Sequence, residues 1–366
     1  MIVCGGNAFE VRKNMKRTTL ATTLVIILVG YGSIPRVNST SFASAQSIGR
    51  PHQSKPAPAR WRGLIGEYGP DDNIAIVLER DGSLFALFKR ERFEPLTEVT
   101  RNVFRFTIQN EHRPVVFTRD SRGRATQVAL DAVVLKRRNI EPESGNQLRI
   151  KPVRPIAELM KEALAAQTPL ENGDFLNTDL VELRKLDSSI RLEVRYATTN
   201  NFLGTKFYTQ ARAFMQRPAA EALVRAHRKL KQQGYGLLIH DAYRPWYVTK
   251  VFWDAVPEDK KLFVADPARG SRHNRGCAVD LTLYHLKTGR PVEMVATYDE
   301  TTERAHSDYP GGTSLQRWHR DLLRKAMEAE GFNIYAPEWW HFDYKDWQKY
   351  QIGNVRFEAI GSQSWR

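Results

Sequence analysis

The spacing of hydrophobic residues changes near residue 150, and this change most restricts what the chain can fold into. Between 62 and 150, short alternating or β-branched runs are separated by turn residues, and Asp81-Gly82 between two such runs is the strongest hairpin signal. Beyond 150, helical spacing alternates with apolar runs, which predicts helices at 156–167, 219–233, near 246–256 and at 315–330, and strands at 236–240, 278–284 and 338–344. The fold class is therefore α+β. A small antiparallel β domain over 62–150 precedes a domain over 151–366, in which helices flank a central antiparallel sheet.

The first 61 residues carry export signals. A basic stretch and an apolar run from Leu20 to Tyr31 precede Ala43-Ser-Ala45, as in a secretory signal with an A-x-A cleavage site, and Met15 is an alternative start. The apolar run is shorter than the roughly 20 residues needed to cross a bilayer, so no stable membrane span is expected. The sequence predicts a signal peptide over 1–45, a linker over 46–61, and an exported protein, periplasmic or secreted. Whether the signal is cleaved or kept as an anchor stays open.

Charge and cysteine content exclude two classes of protein. The chain has 55 Lys and Arg against 41 Asp and Glu, a net charge of +14 among its 366 residues. The excess is spread along the chain and forms no basic stripe interleaved with aromatic residues, so a nucleic-acid partner is not expected. Of the two cysteines, Cys4 falls in the signal, which leaves Cys277 and no internal disulfide.

Two segments of the second domain contain metal-ligand residue types. His273 and Asp280 stand seven residues apart, with Gly276 between them to let the backbone turn, and they offer a nitrogen and an oxygen of the kind that zinc accepts. Alone, such a pair is more often a structural salt link. Glu338-Trp-Trp-His341 adds a second histidine and a carboxylate, although an ideal strand would point the two to opposite faces unless a bulge or twist redirected one.

A third segment, from Asp241 to Pro245, places Arg244 at the end of a predicted strand. This arginine is either a surface residue at a helix start or a guanidinium that stabilises an oxyanion. Three protein ligands with an open position form the catalytic type of zinc site, and Glu338 could then deprotonate a metal-activated water.

In their order along the chain, the motifs Asp-Ala-Tyr-Arg-Pro, Ser-x-His-x-x-Gly-x-Ala-x-Asp and Glu-x-Trp-His resemble those of the zinc D-alanyl-D-alanine dipeptidases of the VanX type. The resemblance runs from about Leu180 to Asp346 and includes the phrase at 194–202. It implies the following roles: His273, Asp280 and His341 as ligands of one zinc ion, Glu338 as general base, Arg244 as oxyanion stabiliser, and Ser271 and Asp299 as residues that hold the substrate ammonium. Val295 and Tyr298 depart from the family's usual Met-Gly-x-x-Phe-Asp around Asp299.

The resemblance implies hydrolysis of D-Ala-D-Ala or a related D-configured dipeptide, in peptidoglycan metabolism or recycling. Its expected partners are small D,D-dipeptides and peptidoglycan-derived peptides. The alternatives are a D,D-carboxypeptidase or endopeptidase acting on longer wall peptides, and a non-catalytic binder of wall fragments. The β domain is interpreted as a structural or binding accessory. Trp339 is predicted to form a pocket wall and Trp340 to lie in the core, and the remaining histidines of the second domain are predicted to be structural or solvent-facing (His227, His240, His285, His306 and His319).

Overall fold

A computed structural model describes residues 54–140 and 148–360, which belong to one compact unit. The predicted signal peptide lies outside the described residues, as does the first half of the predicted linker, 46–53. Within the described ranges no helix has the length and hydropathy to cross a membrane. The end of the predicted linker differs from expectation, because Ala59–Arg62 form a short helix, α1, and Trp61 packs into the core of the β domain.

The β domain is a meander of eight antiparallel strands in sequence order. Its strands are β1 Gly66–Tyr68, β2 Ala75–Arg80, β3 Ser83–Phe88, β4 Arg92–Glu98, β5 Val103–Ile108, β6 Glu111–Arg119, β7 Ala125–Leu130 and β8 Val133–Lys136. Backbone hydrogen bonds from Gly69 N to Lys136 O and from Arg138 N to Glu67 O, both 2.8 Å, join the first strand to the chain leaving the last. The sheet therefore closes on itself and leaves its two outermost strands paired.

The predicted hairpin is confirmed. Asp81 and Gly82 have φ values of 50° and 79°, so both central residues of the turn are left-handed, as a turn that matches the twist of a two-stranded ribbon requires. Inside the closed sheet, Phe117 makes edge-to-face contacts with Tyr68 and Phe104 at centroid distances of 6.1 and 5.6 Å. All three rings are buried, and they form the centre of a core of its own.

The second part of the chain is mixed α and β, as predicted. Its strands are β9 Leu180–Glu182, β10 Arg191–Leu192, β11 Phe214–Gln216, β12 Tyr235–Asp241, β13 Ala278–His285, β14 Phe332–Ile334 and β15 His341–Tyr344, and its helices are α2 Ile156–Ala165, α3 Leu183–Leu186, α4 Arg217–Lys231, α5 Trp246–Ala255 and α6 Ser314–Glu328. The main sheet has the order β10-β12-β13-β15-β14. Only the short edge strand β10 runs parallel to its neighbour, so the expected antiparallel sheet is confirmed except at that edge.

Successive side chains of β13 point to opposite faces of the main sheet, so the two faces have different surroundings. Val279, Leu281 and Leu283 enter the large core cluster that also includes side chains of α4 and α6. Asp280 and Thr282 therefore point to the opposite face. Helices α2 and α5 belong to a second apolar cluster, whose members include Tyr196 and Phe252. A carboxylate is thus held on a rigid central strand.

The β domain and the α+β domain share a contact with an apolar part and a polar part. Four apolar side chains of β2, β3 and the residue before β2 pack against Val295 and Tyr309. Tyr309 OH donates a 2.6 Å hydrogen bond to Glu67 Oε1. Buried Glu79 accepts hydrogen bonds from the backbone N–H groups of Ser314, at 2.8 Å, and Gly82, at 2.7 Å.

Replacing Glu79 with alanine is expected to destabilise the protein by about 2 kcal/mol, because the buried N–H of Ser314 and the partly buried N–H of Gly82 lose their acceptor. The free energy of unfolding in urea measures this. Glu91→Ala is the matched control, since Glu91 is exposed in the turn between β3 and β4 of the same domain, and we expect it to change stability by less than about 0.5 kcal/mol. Equal losses in the two variants would contradict a structural role for Glu79 at this contact.

Candidate metal centre

Three side chains from separate elements converge on one buried point. Asp280 on β13 lies directly opposite His341 on β15 in the strand register, and His273 lies on the short 3-10 helix Arg272–Arg275. Gly276 ends this helix with a φ of 68°, and a Cβ there would lie 2.5 Å from Leu180 Cδ2. The chain therefore needs a glycine in the left-handed conformation at this position to pass from His273 to the strand that carries Asp280.

The facing atoms of these residues form a small triangle. His273 Nε2 is 3.2 Å from His341 Nδ1 and 3.4 Å from Asp280 Oδ1, and His341 Nδ1 is 3.0 Å from Asp280 Oδ1. A tetrahedral zinc site with metal–ligand distances of 2.0 to 2.1 Å separates its ligand atoms by about 3.3 Å. The triangle therefore has the size of one face of such a tetrahedron.

Hydrogen bonds on the outer sides of the two imidazoles orient them toward this point. His273 Nδ1 is 2.7 Å from the carbonyl oxygen of Ala242, and His341 Nε2 is 3.0 Å from Asp343 Oδ1. Since both partners are acceptors, the outer nitrogens carry the protons in the neutral rings, and the lone pairs point inward. Asp280 Oδ1 is buried and accepts no hydrogen bond of normal geometry from any described residue. This donor set fits a metal cation, which two inward lone pairs and an unsatisfied carboxylate oxygen would stabilise.

The charges around the triangle also favour a cation. Burial by itself would lower the pKa of His341, but Asp343 and Asp280 raise it to about 10. Burial opposes ionisation of Asp280, yet His273 and His341 hold its pKa well below the usual range. The centre therefore holds a positive charge at neutral pH, either a proton on the imidazole or a metal ion.

Glu338 lies beside the triangle in a turn rather than in the strand that the sequence predicted. Its N–H donates to Tyr335 O and its carbonyl oxygen accepts from His341 N, so β15 begins only at His341. The turn, and not a bulge, brings Glu338 and His341 to the same side, with Glu338 Oε2 3.7 Å from His341 Nδ1. Desolvation raises the pKa of Glu338 to about 7, against the opposing effect of His341. A carboxyl group with that pKa can both accept and return a proton.

Arg244 follows β12 and is buried rather than on the surface. Its Nε and Nη2 each lie 2.9 Å from Asp241 Oδ2, and Tyr208 OH donates to Asp241 Oδ1 at 2.8 Å. The guanidinium also lies over the rings of Tyr196 and Phe252, 5.2 and 5.0 Å from their centroids. Burial would lower the pKa of Arg244, but Asp241 raises it well above its ordinary value. The position holds a fixed positive charge.

The two remaining predicted site residues border the same cavity of about 880 Å³ as the triangle, Glu338 and Arg244. Ser271 is buried and caps the 3-10 helix, with Oγ accepting from His273 N at 3.2 Å. Asp299 has a φ of 61°, and Tyr196 OH donates to its Oδ1 at 3.2 Å. Burial, together with Asp280 and Glu338, raises the pKa of Asp299 well above the usual range. The structure therefore brings all seven predicted residues to one cavity.

Two residues that support the triangle were not predicted from the sequence. Asp343 orients His341, and its position two residues further along one strand, hence on the same face, was an available signal. Tyr298 OH donates to Asp280 Oδ2 at 3.0 Å, and its oxygen lies 3.3 Å from that of Tyr196. Its only signal was its departure from the family's phenylalanine.

Other predictions about the domain have mixed outcomes. His227 is structural, as predicted, because it is buried and its Nδ1 accepts from Leu237 N at 3.1 Å. Burial lowers its pKa to about 4. The prediction that Trp340 lies in the core is confirmed. The prediction for Trp339 was wrong, because Trp339 also lies in the core and it is Trp340 that borders the cavity. Trp340 lies next to His341, at the start of β15, and therefore reaches the cavity wall.

A mixed sheet with two histidines and an aspartate facing one point, beside a carboxylate and a buried arginine, is an arrangement of metal-dependent hydrolases. The family model described as "D-ala-D-ala dipeptidase", of the M15 peptidases, matches residues 176–357. Similar curated proteins are named D-alanyl-D-alanine dipeptidase. That of Escherichia coli is 34% identical over 183 residues, half of this chain and 93% of its own length, and that of Enterococcus faecalis is 36% identical over 195 residues, 48% of this chain and 94% of its own. That of Streptomyces coelicolor is 34% identical over 192 residues, 48% of this chain and 93% of its own. The chain belongs to this family of metallopeptidases, and the family likeness covers only its C-terminal half.

Proposed function

We propose that this protein is a zinc-dependent dipeptidase that hydrolyses D-Ala-D-Ala or a related D-configured dipeptide. The observation that carries the proposal is the triangle of His273 Nε2, Asp280 Oδ1 and His341 Nδ1, with edges of 3.0 to 3.4 Å. These three side chains would hold one zinc ion. The relatives named for this activity, matched over more than nine tenths of their length, support the choice of substrate.

When bound, zinc would supply Lewis-acid polarisation of the scissile carbonyl and would make a water more acidic. Glu338, with its pKa near neutral, takes a proton from the attacking water and delivers it to the leaving amine. Arg244 donates hydrogen bonds to the oxygen that becomes negative in the tetrahedral state. Because Asp241 and two aromatic rings already fix the guanidinium, it needs little reorganisation during the reaction.

We expect Ser271 and Asp299 to give the enzyme a preference for dipeptides. A hydroxyl and a carboxylate on the cavity wall can bind the free ammonium group of a dipeptide. An acylated amine has no positive charge and adds bulk at this point. A substrate whose N-terminus is part of a longer chain would therefore lack the ammonium group that Asp299 can bind.

The proposed enzyme acts outside the cytoplasm. The signal-like N-terminus and the D-configured substrate support an exported enzyme, periplasmic or secreted, that acts on dipeptides released in peptidoglycan metabolism or recycling.

The test is a panel of D,D, L,D and L,L dialanine and N-acetyl-D-Ala-D-Ala, assayed for released alanine with and without a chelator. We expect D-Ala-D-Ala to give the highest kcat/KM, the N-acetyl form to react at least a hundredfold more slowly, and chelation followed by zinc addition to abolish and restore turnover. Faster cleavage of the N-acetyl form would contradict the dipeptidase proposal and would favour a D,D-carboxypeptidase. If the protein bound these compounds without hydrolysing any of them, it would be a non-catalytic binder of wall fragments.

A further inference from the structure

A second large cavity, of about 1000 Å³, lies between the β domain and the α+β domain and shares no lining residue with the cavity at the metal centre. We call it the interdomain cleft. Helix α1 and the loops before β5 and β7 form one side, and the segment 293–316 forms the other. Eight arginines and three glutamates line it, with no lysine or aspartate among the described lining residues. Its walls therefore carry an excess of positive charge.

The glutamates of the interdomain cleft do little to neutralise this excess. Glu98 Oε2 already accepts from Arg60 Nε at 2.9 Å and from Trp61 Nε1 at 3.0 Å. Glu67 Oε1 accepts from Tyr309 OH at 2.6 Å as part of the contact between the domains. These carboxylates hold the walls of the cleft together, and four of the lining arginines have no ion pair with any described residue: Arg62, Arg101, Arg119 and Arg122.

Arg119 is the clearest case. Its guanidinium makes hydrogen bonds only to neutral acceptors, among them Asn102 Oδ1 at 2.9 Å, Gly123 O at 2.8 Å and Arg101 O at 3.1 Å. None of the ion pairs within 54–140 and 148–360 includes Arg119, Arg101 or Arg122. Burial and the nearby Arg101 lower the pKa of Arg119. Cations held together in this way gain stability from an anion between them.

We propose that the interdomain cleft binds a multivalent anion, a ligand that carries several phosphate or carboxylate groups. Guanidinium groups present paired donors that fit both kinds of oxyanion, and arginine is the only basic residue type among the described residues that line the cleft. The volume suits a ligand larger than one inorganic ion. The inference does not rest on the dipeptidase activity, because it uses neither the metal centre nor its cavity.

The test uses the full chain and sucrose octasulfate, a multivalent anion, with sucrose as its neutral counterpart. Calorimetry at low ionic strength is expected to show saturable binding of the octasulfate that weakens as salt is added, and no binding of sucrose. Arg101→Glu/Arg122→Glu is expected to weaken this binding at least tenfold. Both side chains are exposed and have no hydrogen-bonded or ionic partner among the described residues, so the double variant should fold.

The matched control is Arg105→Glu/Arg184→Glu, which makes the same change in net charge at two exposed arginines outside the interdomain cleft. We expect it to change the affinity less than twofold. An equal loss in the two double variants, or no saturable binding by the unaltered protein, would overturn the proposal. Competition by inorganic phosphate and by acetate then shows which kind of oxyanion the cleft prefers, and failure of both to displace the octasulfate would also count against it.

Discussion

Glu338→Gln is expected to lower kcat on D-Ala-D-Ala by about a thousandfold, because a side chain in the position of a general base contributes roughly two to four orders of magnitude to rate. The amide keeps the shape of the side chain but cannot take a proton from water. Zinc content should stay near one ion per chain, since Glu338 is not part of the ligand triangle. Initial rates and metal analysis on the same preparation measure both quantities.

The control for this variant is Glu303→Gln, the same change at a carboxylate on the rim of the same cavity. Glu303 is half exposed and faces Arg90 rather than the triangle, so its loss should alter kcat less than threefold. If the Glu338 variant retained more than a tenth of the original kcat with zinc bound, another group would have to be the base.

Asp280→Ala is expected to remove both metal and activity. The substitution deletes one of three protein ligands from a buried site, so zinc content after dialysis should fall from about one ion per chain to less than a tenth.

Asp343→Asn tests whether the hydrogen bond to His341 strengthens metal binding. Because the amide is a weaker acceptor for His341 Nε2, zinc affinity should fall by roughly ten- to a hundredfold without loss of binding.

Asp308→Ala is the matched control for both substitutions, because Asp308 is exposed and borders neither cavity. Zinc affinity measured by competition with a chelator should be unchanged in it. Full zinc occupancy in the folded Asp280 variant would show that the triangle is not the metal site.

The strands that could be predicted from sequence are those with strong local signals. β2, β3, β5 and β7 have alternating or β-branched residues and clear turns at their ends. β1 has only three residues, and β4 has Pro95 and a single fully buried position, Leu96, so neither produces a pattern. Both are strands because their neighbours supply hydrogen-bond partners, which no local window contains.

The three residues of the triangle were predictable as a group because motif spacing and residue chemistry agree for them. Arg244 was ambiguous in the sequence, since its relation to the triangle depends on β12 and β13 being neighbours in the sheet. The turn at Glu338 was not predicted because the apolar residues that follow it have the pattern of a single strand over 338–344. Tyr298 was missed because its contact with Asp280 joins two segments that no periodicity relates.

The contact that joins the two domains makes the α+β domain depend on the β domain for part of its burial. A chain cut to the length of its shorter relatives would uncover Val295 and Tyr309 and would leave Ser314 N without its carboxylate acceptor. The α+β domain of this chain, isolated by such a cut, is therefore expected to expose apolar surface that the full chain buries.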